Sequence, residues 1–112
     1  MLNTAKNAQQ VDADVFAAIA HPVRRQLLDM LSKGDQSVNE LATPFDMSRP
    51  AVSQHLRILL DVGLVSEQRQ GRERRYQLHP EGLMQVQRWL QTYQRFWTNR
   101  LDALGHFLEE QE

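Results

Sequence analysis

The stretch from Ser48 to Leu60 constrains this chain more than any other. Ser48 suits a helix N-cap, and Pro50 falls in the first turn, where its missing N–H costs little. Val52, Leu56, Leu59 and Leu60 then recur at i, i+4, i+7 and i+8, which is one face of a helix. A core has to lie against that face. The other side carries Arg49, Ala51, Ser53, Gln54 and Arg57, side chains that hydrogen-bond phosphates and base edges or sit against a thymine methyl. Mere solvation does not require that set, so the stretch reads as a DNA recognition helix.

The flanking residues extend the reading. Ser37-Val38-Asn39-Glu40 has the Ser-x-x-Glu pattern of a capping box and opens a short helix that ends near Pro44. Phe45-Asp46-Met47 then joins two helices, which is helix-turn-helix spacing. Leu41, Phe45, Val52 and Leu56 are its expected internal contacts. Gly63 suits a left-handed C′ position after the recognition helix. Residues 66–69 and 74–78 are strand candidates around the loop Gln70-Gly71-Arg72-Glu73, with Tyr76 and Leu78 on one face and Arg75 and Gln77 on the other. This hairpin is expected to be a wing.

The run Phe16-Ala17-Ala18-Ile19-Ala20-His21-Pro22-Val23-Arg24-Arg25-Gln26-Leu27-Leu28 leads into Leu41-Ala42 and Ser48-x-x-x-Val52-Ser53-Gln54-His55-Leu56-x-x-Leu59. With Gly63-Leu64-Val65 and Gly71-Arg72-x-x-x-Tyr76, it resembles the ArsR/SmtB family of bacterial winged-helix repressors over roughly residues 13 to 80. The resemblance implies a homodimeric repressor on an operator, with a metal or other inducer in many members. The fold class expected is mainly α with a small β-hairpin, a winged helix-turn-helix that dimerises through its terminal helices. Its parts are a flexible arm over 1–10, a DNA-binding unit over 11–80, and a dimerisation helix over 81–112 in the same domain.

Charge supports a nucleic-acid partner once it is divided along the chain. The net charge is −1. From Arg49 to Tyr76, however, Arg49, Arg57, Arg69, Arg72, Arg74 and Arg75 oppose only Asp61, Glu67 and Glu73, a local excess of +3 that leaves −4 elsewhere. No segment approaches the ~18 consecutive apolar residues of a membrane span, and the first residues lack an export signal, so no membrane partner and a cytoplasmic location are expected.

The last third carries a second pattern. Leu83, Val86, Leu90, Tyr93, Trp97, Leu101, Leu104 and Leu108 follow spacings of 3, 4, 3, 4, 4, 3 and 4, and Trp89, Phe96 and Phe107 widen the band. A helix from Glu81 to Leu108 extends about 40 Å at ~1.5 Å per residue, more than so small a domain can cover. The surplus stripe is the expected self-association surface, formed by Leu83, Val86, Leu90, Tyr93, Trp97, Leu101 and Leu104 together with Val15 in a first helix around Val11 to Ala20. A helix packed only on its own domain is the plainer alternative.

The chain has no cysteine, so disulfides and thiolate metal sites are excluded. The resemblance places metal-binding cysteines around Leu41, Ala42, Thr43 and Pro44 of this chain, and none is there. Its second metal site uses Asp and His on the last helix, where Asp102 and His106 share a face beside Glu109 and Glu110; a solvated helix end is the favoured reading. No metal, no cofactor and no diagnosable inducer pocket are expected. His21 and His79, each before a proline, read as structural. His55, in mid recognition helix, is expected to contact a phosphate or base. Ser53, His55 and Asp61 do not make a catalytic group, because residues two apart on a helix diverge, so no catalytic residue and no enzyme are expected. The expected DNA contacts are Ser48, Arg49, Ala51, Ser53, Gln54, His55, Arg57, Arg72, Arg74 and Arg75. Gln54 and Ser53 would read bases, Arg49 and Arg57 bases or phosphates, and the wing arginines phosphates or a minor groove. The partner is double-stranded operator DNA; a winged helix used only for protein contact is the alternative.

Overall fold

The computed structural model describes residues 14–110. The expected N-terminal arm, and the start of the first helix at Val11, lie outside them. Helix α1 spans Val15–Ala18, capped by the Asp14 carboxylate, which accepts from Phe16 N–H. Helix α2, Pro22–Leu31, begins at His21, whose side chain accepts from Val23 N–H, so the structural reading of that histidine holds. Ser37 and Glu40 close the capping box in both directions, at 2.9 and 3.2 Å, to start helix α3, Val38–Ala42.

Helix α4, Arg49–Asp61, is the expected recognition helix, with Ser48 as its N-cap. It ends in a Schellman motif: Leu64 N–H reaches the Leu59 carbonyl and Gly63 N–H the Leu60 carbonyl, both at 3.0 Å. Gly63 sits at φ +79°, which a side chain would strain. The motif turns the chain so that Leu64, fully buried, seats beside Leu59 in the core.

The strands run further than local pattern indicates. One strand of the wing, Val65–Gln70, and the next, Glu73–Leu78, pair through a turn of only two central residues, Gly71 at φ +63° and Arg72. A third strand, Gln36–Ser37, pairs antiparallel with Glu73–Leu78, so the wing is a three-stranded sheet and not a bare hairpin. In chain order these are β1 (Gln36–Ser37), β2 (Val65–Gln70) and β3 (Glu73–Leu78), with β3 in the centre.

Leu27, Leu41, Val52, Leu56, Leu59 and Leu64 are fully buried and form one core with Leu31, Val65 and Tyr76. As the alternation requires, Tyr76 points inward from the wing and Leu78 packs against the same cluster. A 3₁₀ turn, Pro80–Leu83, then leads into helix α5, Met84–Glu110. No helix among the described residues is long and apolar enough to cross a membrane.

Candidate nucleic-acid interface

Helix α4 sorts its side chains by phase, at about 100° per residue. Val52, Leu56 and Leu59 anchor it in the core. Opposite them, Gln54 and Arg57 stand exposed. Arg57 is steadied by Asp61 one turn on, at 3.3 Å, an exposed pair worth only a few tenths of a kcal/mol. Arg49 and Ser53 turn toward the wing, where they line a cleft with Arg72 and Arg74 and with the start of α3. Ser48 N-caps the helix and is exposed, while Ala51 is half-buried.

The wing register adds a residue that sequence reasoning missed. Arg69 lies directly across from Arg74 on the neighbouring strand. Like charges in that relation oppose pairing, and such a local cost is expected where a surface serves a ligand. The expected loop Gln70-Gly71-Arg72-Glu73 already leaves Arg69 and Arg74 as its flanking pair, so the signal was present in the hairpin itself.

Two expected contacts are placed elsewhere. Arg75 is not free for a phosphate: its Nη2 donates to the Asp35 carbonyl at 2.9 Å, and its Nη1 stands 3.5 Å from both Glu40 and Glu73. Ser37 of β1 pairs with Arg75, which brings the guanidinium over the base of α3. His55 does not stand on the open face. Its ring packs 4.5 Å from that of His21, and its Nδ1 lies 3.1 Å from Arg24 Nη1. Half-burial of the ring, with His21 and Arg24 beside it, holds its pKa below the ordinary histidine value. Residues at the flank of α4 meet α2, which local periodicity does not show. Nor do Ser53, His55 and Asp61 converge, since His55 pairs with Arg24 and Asp61 with Arg57.

The second expected surface divides along α5. Val15 belongs to the chain's own core and offers no exposed face, and Leu83 and Val86 pack partly against that core. Trp89 meets Phe16 of α1 edge-on at 5.6 Å, so the helix is docked through its first turns. Leu90 is half-buried. Beyond it Tyr93, Phe96, Trp97, Leu101, Leu104, Phe107 and Leu108 are 42 to 67% exposed. Asp102 is exposed near the far end, and His106 lies 3.9 Å from Glu109 with both side chains largely in solvent.

Comparison with known proteins gives this geometry a setting. A family model described as bacterial regulatory protein, arsR family, matches residues 21–67. An HTH-type transcriptional regulator of Mycobacterium tuberculosis is 38% identical over 86% of this chain and 87% of its own length. The transcriptional repressor SdpR of Bacillus subtilis is 36% identical over 69% of this chain and 86% of its own. Among solved structures, an ArsR-like transcriptional regulator from Rhodococcus sp. RHA1 superposes with a TM-score of 0.67 at 33% identity, over 96% of this chain and 98% of that one.

Proposed function

The chain belongs to the arsR family of bacterial regulatory proteins, DNA-binding transcriptional regulators and not enzymes, and from that premise we propose a homodimeric repressor that sets two copies of α4 into the major groove of a palindromic operator in the cytoplasm. The observation that carries this reading is the cleft between α4 and the wing, where Arg49 and Ser53 face Arg72 and Arg74 while Gln54 stays open to solvent. Those arginines would attract a phosphate, with the Glu73 carboxylate of the same cleft 3.5 Å from Arg75, and the Gln54 amide would read a base edge. Arg69 joins the phosphate set because the register puts it beside Arg74. The exposed stripe of α5 from Tyr93 onward supplies the self-association face.

Relatives include proteins named as mercury and arsenical resistance operon repressors. This chain holds no thiolate to bind such metals, so we infer that its control lies with another class of ligand, a partner protein or its own abundance. Selection of bound sequences from random DNA tests the whole reading. It is expected to return an inverted repeat with half-sites about one turn apart, ~34 Å. A single unrepeated site, or no enrichment, contradicts it.

A further inference from the structure

The flank of α4 that faces α2 carries His55, and the bonds around it fix where its protons lie. A guanidinium donates and cannot accept. Arg24 Nη1, 3.1 Å away, therefore makes His55 Nδ1 the acceptor and leaves the ring proton on Nε2. His21 is fixed the same way, its Nδ1 accepting from Val23 N–H at 3.1 Å. Arg24 is itself anchored, with Nε donating to the Ala18 carbonyl at 2.6 Å and Nη2 to that of Ala17 at 3.3 Å. One guanidinium thus ties the end of α1 to the recognition helix.

The tie works only while His55 is neutral. A proton on Nδ1 would set two donors and two positive charges against each other at 3.1 Å, with the His21 ring 4.5 Å off. The charged and titratable groups bearing on His55 are His21 and Arg24, and both oppose a positive ring, as does its partial burial. We propose that Arg24 and His21 are positioning residues for the recognition helix, acting through neutral His55, and that protonation of His55 loosens α4 and weakens operator binding. The proposal rests on α4 being the DNA-reading helix. Its sign is distinctive, because simple charge gain on acidification strengthens attachment to phosphates. His55 takes its proton less readily in the latched state than in the open one. The latch is therefore whole above the ordinary histidine value of about 6.5 and is lost as pH falls below it.

The test is operator affinity at constant salt between about pH 7.5 and 5.5, the range in which imidazoles titrate. Wild type is expected to bind the operator several-fold more weakly at the acid end, because the ring takes its proton more readily once the latch is open. His55→Gln, whose carboxamide oxygen can still accept from Arg24 but does not titrate, is expected to lose the acid weakening, its binding holding level or tightening as other groups gain charge. Wild-type binding that tightens in acid, or an acid loss kept by His55→Gln, overturns the proposal. A measurement on the unaltered protein stands beside it: imidazole nitrogen resonances should show the Nε2–H tautomer for His55 and titration below that of an exposed histidine, and the reverse tautomer refutes the latch. Should no duplex bind at any pH, the reading of α4 falls instead. The latch is then judged by melting, where wild type should lose stability relative to His55→Gln on acidification and equal loss refutes it.

Discussion

Arg75 and Asp35, forty positions apart, meet in a 2.9 Å hydrogen bond from the guanidinium to the backbone carbonyl. The same guanidinium faces Glu40 at 3.5 Å, and Glu40 is the acid of the capping box that starts α3. The wing is therefore bolted to the first helix of the helix-turn-helix. Its tilt sets how far Arg72 and Arg74 stand from Arg49.

Arg75→Ala is accordingly expected to weaken operator binding about tenfold while leaving the slope of log K against log salt unchanged, since every phosphate ligand stays in place. Arg72→Ala with Arg74→Ala should instead lower that slope by about one unit for each phosphate no longer neutralised in each subunit. A slope lowered by Arg75→Ala as well would show Arg75 to be a phosphate ligand and the bolt to be incidental.

Gln54 stands exposed on the open face of α4. Its replacement by Ala should cost about 1 to 3 kcal/mol on the best operator and relax the preference at one position of each half-site. Binding measured across single-base operator variants checks this. An unchanged ranking of those variants removes Gln54 from base readout.

Leu101 and Leu104 are 67 and 54% exposed. Leu101→Glu with Leu104→Glu should leave helix content intact, because neither side chain supports the monomer core. Sedimentation should find wild type dimeric at micromolar concentration and the variant monomeric. A monomeric wild type, or a variant that still dimerises, rules out the α5 stripe as the dimer interface.

Glu40 is held below the ordinary glutamate range, first by the Ser37 backbone N–H and then by its hydroxyl, with Arg75 adding to the effect. A carboxylate with a depressed folded-state pKa contributes stability above its unfolded value, and that contribution is lost as pH falls through the folded one. Glu40→Gln keeps a neutral acceptor but removes the charge. It should lower the melting temperature at neutral pH, with the difference closing in acid below about pH 4. A gap that stays constant with pH would mean the charge contributes nothing there.

Interactions that close within five residues were legible in the sequence. The Ser48 cap, the Ser37 and Glu40 box and the turn at Gly63 all depend on neighbours in the chain. The apolar phase of Val52, Leu56 and Leu59 likewise told which side of α4 meets a core. Tertiary structure decided what stands at the flanks. His55 found Arg24 from 31 positions away, and Arg75 found Glu40 from 35, by side chains long enough to reach across helices that periodicity treats as separate. Strand β1, two residues long, exists through its pairing with β3, so no local alternation could announce it. Along α5 the apolar stripe was visible as a pattern. Only the angle at which the helix leaves the domain determined that Leu83 and Val86 are spent on its own core while Trp97 and Leu101 remain uncovered.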